Sequence, residues 1–284
     1  FGKQLGAKRA TFYGLAGVGD LVASCTSKHG RNRLVGEMLA KGKNLEDIEK
    51  EMHGMIAEGI KKYSKVGVAC SFGKDSMVVV HLAREVEPNI PVFSVMTKYK
   101  PPETLKYLRR MNKEMGLGIK VYMVADDIPA SLQGDDLNIQ LLATDKFKNE
   151  SAKNTKPIFE VDPNLCCDLL KVEPTRAAVS HLNAWLTGLR NTEGQTRKDY
   201  KEVENDRSGP GLVKINPILT FTELDVWRYL AINNIPVNPL YGEGYRSLGC
   251  APCSKIVGDD EPERAGRWKD SSKCGGECGI HTRN

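Results

Sequence analysis

The chain has 284 residues, 40% of them hydrophobic, enough for one large buried core with or without a small second domain. Its 41 basic and 36 acidic residues leave a formal charge of +5, which suits an anionic substrate and is too dilute for a nucleic-acid surface. No apolar run approaches the roughly 18 residues that cross a bilayer, and the opening "FGKQLGAKRATFYG" lacks the apolar core of a signal peptide, so a cytoplasmic protein with no membrane and no nucleic-acid partner is expected.

From Leu34 to Tyr63 the apolar positions, among them Met38, Leu45, Ile48, Met52, Ile56 and Ile60, recur at helical steps. Gly42 and Gly54 interrupt them, which predicts short amphipathic helices. Glycines 14, 17 and 19 are not a dinucleotide fingerprint, because no strand precedes them and no βαβ unit follows. The stretch "ATFYGLAGVGDLVASCTSKHGRNRLVG" resembles the C-terminal helical domain of NAD-dependent glycerol-3-phosphate dehydrogenases over residues 1–62. Asp20, Arg31 and Asn32 fall on that family's substrate-side positions, while Gly30 replaces its usual serine. That family's nucleotide domain and catalytic lysine lie upstream and are absent here. The resemblance therefore implies a helical packing or oligomerisation segment without hydride transfer, and it leaves a homo-oligomer open.

After Lys65 the texture changes. "VGVACSF", "IPVFSVM" and "IKVYMV" are short β-branched runs that alternate with the helical patterns "DSMVVVHLAREV" and "PPETLKYLRRMNKEMG". Strand alternating with helix predicts an α/β domain over 63–284 with a parallel sheet covered on both faces. "AWLTGLR" and "LVKINPI" read as two further strands, and "TFTELDVWRYLAINN" as a helix capped by Thr222 with Asp225 three residues on. The polar stretch "NTEGQTRKDYKEVENDRSGPG" reads as a long exposed loop of the kind that forms active-site flaps.

"CSFGKDSMVVV" sets Ser71, Phe72, Gly73, Lys74, Asp75 and Ser76 at the turn between the first strand and the first helix of the α/β unit. Phosphate binds at such turns: the glycine permits close backbone approach, the helix start offers unpaired amides, and the serines add hydroxyl donors. The pattern departs from the Walker loop GxxxxGK[ST]. It looks like the loop shared by ATP pyrophosphatases and sulfonucleotide reductases.

Of the eight cysteines, Cys25 and Cys70 lie alone in small or apolar surroundings and read as packing residues. "LCCDLLKVEP" supplies adjacent Cys166 and Cys167, and "GYRSLGCAPCSK" supplies Cys250 and Cys253. Four thiolates in two pairs suit either tetrahedral zinc or a 4Fe-4S cluster. Adjacent cysteines on a strand would point to opposite faces, so a shared centre requires a helical or kinked segment.

"CCDLLKVEP", "GLRNTEGQTR", "PLYGEGYRSLGCAPC", "ERAGRW" and "ECGIH" follow one another in the order of the assimilatory adenylylsulfate reductases, part of the phosphoadenylylsulfate reductase family. The chain resembles these enzymes over residues 62–284. The resemblance implies a Rossmann-like parallel sheet of the adenine nucleotide alpha hydrolase (PP-loop) type. It also implies a 4Fe-4S cluster on Cys166, Cys167, Cys250 and Cys253, and Cys278 as nucleophile. Substrate would meet the 71–76 loop and Lys171, with Arg264 and Arg267 gripping the phosphosulfate, Arg190 and Arg197 as further cations, and His281 from the tail. The implied reaction is thiolate attack on the sulfur of adenylylsulfate, leaving S-sulfocysteine and AMP, after which thioredoxin or a glutaredoxin-type thiol liberates sulfite. By the same resemblance alone, four cluster cysteines imply a preference for adenylylsulfate over its 3'-phosphorylated form, PAPS.

Three departures stand against this pattern. Leu170 replaces an arginine usual beside Lys171, Asn191 stands where a second arginine is common, and Lys74 is typical of ATP-using relatives. Lys74 keeps open a PP-loop ATP pyrophosphatase or thiolation enzyme, and the cysteines keep open a non-catalytic iron-sulfur sensor. Cys274 reads as incidental or as an internal resolving thiol.

Overall fold

The computed structural model describes residues 45–134, 136–205, 211–258, 260–273, 276, 277 and 280. Cys25, the helical pattern before Leu45, Cys274, Cys278 and His281 lie outside the described residues.

The chain enters through α1 (Leu45–Lys62) and then builds one sheet from β1 (Val66–Ala69), β2 (Val92–Met96), β3 (Lys120–Val124), β4 (Asn138–Leu142), β5 (Ala184–Leu186), β6 (Val203–Asn205) and β7 (Val213–Ile215). Its order is β4-β3-β2-β1-β5-β7-β6, parallel throughout except where β6 runs antiparallel to β7. The expected parallel α/β sheet is present. β1 lies at its centre, pairing Val68 with Val92 of β2 and Gly67 with Trp185 of β5. Successive strands step outward from β1 in one direction and then, from β5, in the other. The carboxyl ends of β1 and β5 therefore open at a topological switch point, where α/β sheets form their ligand crevices.

α2 (Lys74–Val86) follows β1 and buries Met77, Val78, Val79, Val80 and Leu82 against the sheet. Each buried aliphatic side chain contributes about 1.5–3 kcal/mol. α3 (Pro102–Glu114) starts at a proline whose missing amide costs nothing in the first turn. α4 (Asp145–Ala152) follows β4. Next come α5 (Pro163–Cys167), a π-helical turn (Asp168–Val172) and α6 (Glu173–Val179). Pro174 has no amide to return to the preceding turn, and Glu173 N–H reaches back to Asp168 O instead, which loosens the helix at this point. α7 (Glu223–Ile232) begins with the expected capping box: Asp225 N donates to Thr222 Oγ1 (3.2 Å) and Thr222 N to Asp225 Oδ2 (2.9 Å).

Two findings differ from the sequence reading. The segment read as an exposed flap is pinned down in its first half, with Glu193, Arg197 and Tyr200 buried, and it contributes β6 at its centre. Its residues 206–210 lie outside the described part. The sequence also sets a boundary between 62 and 63, whereas the compact unit holding the sheet begins at Glu49. Met52 and Ile56 of α1 are buried, and His53 Nε2 meets Glu85 Oε2 of α2 at 3.0 Å. Among the described residues no helix is long and apolar enough to cross a membrane.

Candidate active site

A cavity of about 190 Å³ opens at the switch point. Its floor is the β1–α2 turn (Ser71, Gly73, Asp75, Ser76), one wall is the end of β5 (Trp185, Thr187, Gly188), and Lys100 lines it from the loop after β2 and Lys171 from the π-helical turn after α5. Arg197, Arg264, Arg267 and Trp268 close the other side, together with Glu277 and Ile280.

The β1–α2 turn is held by its own serines: Ser76 Oγ donates to Gly73 O (2.9 Å) and accepts from Ser71 N (3.2 Å). Phe72 sits at φ 60°, a left-handed conformation unusual for a bulky residue, fixed by its buried ring standing edge-on to Tyr107. The backbone amide of Lys74 donates to the Tyr241 hydroxyl at 2.8 Å, so this donor of the first turn is already engaged.

Three residues expected to bind substrate, Phe72 and Lys74 of the 71–76 loop and the further cation Arg190, do not line the cavity. Phe72 turns into the core. Lys74 is 2% exposed, its ammonium donating to Glu263 and to Arg246 O (2.8 Å). Burial draws that ammonium down, but Asp75 and Glu263 outweigh it and hold the group above its ordinary value. Arg190 is fully buried and donates to Asp75 Oδ1 (2.6 Å) and Glu263 Oε2 (2.7 Å). Burial opposes ionisation of Asp75, yet Arg190 and Lys74 keep its carboxyl below the usual range. A cluster of Asp75, Glu193 and Glu263, with oxygens within 4.8 Å of one another, is thus filled by Lys74, Arg190 and Arg197 rather than open to a cation.

Gly188 makes this junction possible. A Cβ there would stand 2.7 Å from Ser76 N and 2.8 Å from the Asp75 carbonyl carbon, both backbone atoms. Gly188→Ala should force β5 away from the turn and cost about 1–3 kcal/mol. Urea titration should show a lower midpoint with unchanged slope, and nucleotide affinity should fall with it.

The arginines are also engaged. Glu277 accepts from Arg197 Nε (2.6 Å) and Nη2 (2.9 Å) and from Arg264 Nη2 (2.9 Å). Burial and the nearby Arg197 depress Arg264 below its ordinary value. Arg267 Nη1 donates to Ser254 Oγ (2.5 Å), and its guanidinium lies 4.5 Å from the centre of the Trp268 ring. A side chain on Gly249 would overlap that guanidinium, so the glycine leaves room for it.

The four cysteines assigned to a metal centre converge. Cys166 and Cys167 end α5, on the helical and kinked segment that a shared centre requires, and Cys250 and Cys253 flank a 3₁₀ turn. All four line one small pocket with Thr97, Tyr99 and Lys171. Thr97 Oγ1 lies 3.2 Å from Cys250 Sγ, and Ala251 N donates to Tyr99 O at 2.8 Å, which stitches the loop after β2 onto the CxxC. Burial pushes the Cys166 thiol up to about 12, aided by Cys250 and Cys253. Cys250 lies below its ordinary value: burial is outweighed by Lys171, Lys100 and the Thr97 hydroxyl. Cys70, by contrast, is pushed up to about 11 by burial and lines the cavity beside Ser71. Leu170 packs with Phe147 and Ile158 in the core beneath this pocket.

The donor set, four thiols around one small pocket, fits a metal centre of either kind, zinc or an iron-sulfur cluster.

Sequence reasoning passed over Lys100, Trp185, Trp268 and Glu277. Glu277 lies inside the "ECGIH" motif and was legible as part of it; nothing in "KYKPPE" marks Lys100.

Residues 65–256 match the family model of the phosphoadenosine phosphosulfate reductase domain. Residues 1–87 match that of the NAD-dependent glycerol-3-phosphate dehydrogenase C-terminus, which reaches past residue 62 and overlaps the first match. An adenosine 5'-phosphosulfate reductase of Burkholderia cepacia is 32% identical over 248 residues, covering 87% of this chain and 90% of its own length. One from Rhodococcus erythropolis is 35% identical over 204 residues, covering 72% and 74%. Among solved structures, a phosphoadenylyl-sulfate reductase from Candida auris superposes with TM-score 0.57 at 20% identity, covering 75% of this chain and 96% of that one. An FMN adenylyltransferase from Candida glabrata gives 0.53 at 14% identity, covering 84% and 82%. At these identities the two structures speak for the fold alone, and they agree with the PP-loop-type sheet expected from the sequence.

Proposed function

The chain belongs to the phosphoadenosine phosphosulfate reductase family, and on that footing we propose that it reduces adenylylsulfate to sulfite and AMP in sulfate assimilation, through Cys278 and with electrons from a protein thiol of the thioredoxin or glutaredoxin type. The observation that carries this reading is the cavity at the switch point, walled by Lys100, Lys171 and Arg267 and bordered by Glu277 and Ile280, the described residues on either side of Cys278.

The nucleotide lies over the β1–α2 turn, where the Ser71 and Ser76 hydroxyls face its phosphate, and Lys171 and Arg267 balance the charge of the phosphosulfate. The Cys278 thiolate attacks the sulfur. A Cys–S bond to the sulfonate forms, the S–O bond to phosphate breaks, and AMP departs with that electron pair. A donor thiolate then attacks Cys278 Sγ, forms a mixed disulfide and expels sulfite, so that sulfur gains two electrons and the donor's second thiol closes its own disulfide. His281 and the cavity cations favour the thiolate form.

Cys166, Cys167, Cys250 and Cys253 would hold a 4Fe-4S cluster, whose contribution when bound is structural and electrostatic. Lys171 lies on both the cysteine pocket and the cavity and carries that field toward the substrate. The ATP-using alternative loses its main support, because Lys74 is tied to Glu263.

The test is mass spectrometry of anaerobically purified protein incubated with adenylylsulfate or PAPS and no reducing thiol. A sulfonate adduct on Cys278, formed faster from adenylylsulfate and removed by thioredoxin, is expected, together with about four irons per chain. A cluster-bearing protein that forms no adduct with either nucleotide would overturn the reading.

A further inference from the structure

Glu277 is 7% exposed, and its carboxylate takes three hydrogen bonds from two arginines on separate elements. Arg197 comes from the 3₁₀ turn Gln195–Arg197 beyond β5 and grips both carboxylate oxygens in a fork. Arg264 comes from the "ERAGRW" loop and bonds Oε1. Behind them Glu193 pairs with Arg197 and lies 4.0 Å from Arg264, so the charges alternate along one buried chain: Glu193, Arg197, Glu277, Arg264. Three residues on, Ile280 packs with Cys167, Cys253 and Trp268, and separately with the cluster around Trp185. Cys278 lies in sequence between a charged anchor and an apolar one.

From this we infer that Glu277 is a positioning residue that fastens the nucleophile's segment to the cavity wall through Arg197 and Arg264. The inference rests on the reductase reading for its catalytic consequence, though not for the tether itself. Two arginines at this depth need an anion, and a carboxylate held from two directions on two elements is oriented, not merely neutralised. Loss of the tether should act on the approach of the thiolate more than on nucleotide affinity, because misplacement of a reacting group by about 1 Å is worth roughly a hundredfold in rate.

The experiment compares the full-length holoprotein with Glu277→Gln, Glu277→Asp and Arg264→Lys. The first readout is the rate of Cys278 alkylation by iodoacetamide without nucleotide, followed by peptide mass spectrometry. The second is the single-turnover rate of Cys278 sulfonation by adenylylsulfate as a function of nucleotide concentration. In E277Q we expect alkylation to rise roughly tenfold, as local opening becomes easier. The sulfonation rate should fall roughly a hundredfold, with half-saturation within about a factor of two of the parent. Glu277→Asp should recover much of both, and Arg264→Lys, which keeps the charge but loses the guanidinium bond to Oε1, should repeat the faster alkylation of Glu277→Gln from the other side. Unchanged alkylation in both Glu277→Gln and Arg264→Lys would sink the tether. So would tighter half-saturation at an undiminished rate, which would make Glu277 a stand-in that the substrate displaces. If the parent protein forms no sulfonate adduct while Glu277→Gln still speeds alkylation, the reductase reading fails and the tether stands.

Discussion

Cys278→Ser is expected to release no sulfite above background, a loss of at least about a thousandfold in turnover measured with a thioredoxin donor. A serine hydroxyl is un-ionised at neutral pH and a poor nucleophile toward sulfur. Even a sulfate ester formed on it would carry no divalent sulfur for the donor thiol to attack in the second half-reaction. Both half-reactions fail at one atom, so raising the donor concentration should not restore activity. Adenylylsulfate affinity should stay within a few-fold of the parent, because the cavity cations and the β1–α2 turn are untouched. Cys274→Ser serves as the companion: sulfite release near the parent's is expected, and a comparable collapse there would mean that Cys274 resolves the intermediate internally.

Glu263→Gln is expected to be the most damaging single change to the fold. Glu263 accepts from Lys74 and from both Nη2 contacts of Arg190, and all three side chains are almost completely buried. Removing one partner of a buried ion pair leaves the other charges without compensation, at a cost of about 3–5 kcal/mol. For a unit of this size that corresponds to a fall in melting temperature of roughly 10 °C. Because Lys74 opens α2 and Asp75 bonds Arg190, the loss should spread into the nucleotide turn and weaken ligand binding as well. Lys74→Met in the Glu263→Gln background removes one stranded cation, so the double variant should regain part of the loss; strict additivity of the two changes would refute the coupling.

Much of the fold was legible because α/β architecture writes itself in alternating texture. β1, β2, β3 and α2 lie where the β-branched runs and the helical spacing put them. β4 escaped notice because "NIQLL" is a half-exposed edge strand with two amides, and β6 because three residues, "VEN", gain their strand character only by pairing with β7. The cysteines could be read as a set because thiol pairs have few alternative uses in a reducing compartment. The cations could not be sorted the same way. Arg190 and Lys74 resemble Lys171 and Arg267 in sequence, but their partners Glu263 and Asp75 lie up to 189 residues away, and only the folded chain distinguishes a guanidinium facing a cavity from one facing a carboxylate. Motif membership was the stronger guide to location and the weaker guide to role: "ERAGRW" contains a fold-holding glutamate and two cavity-lining arginines, one of which also bonds Glu277, within five residues.

Lys171 belongs to the π-helical turn after the paired cysteines and touches both the thiol pocket and the nucleotide cavity. A ligand in either compartment therefore meets the same side chain. By thermodynamic reciprocity, whatever factor a filled thiol pocket contributes to nucleotide affinity, bound nucleotide returns to the affinity of the thiol pocket for its contents.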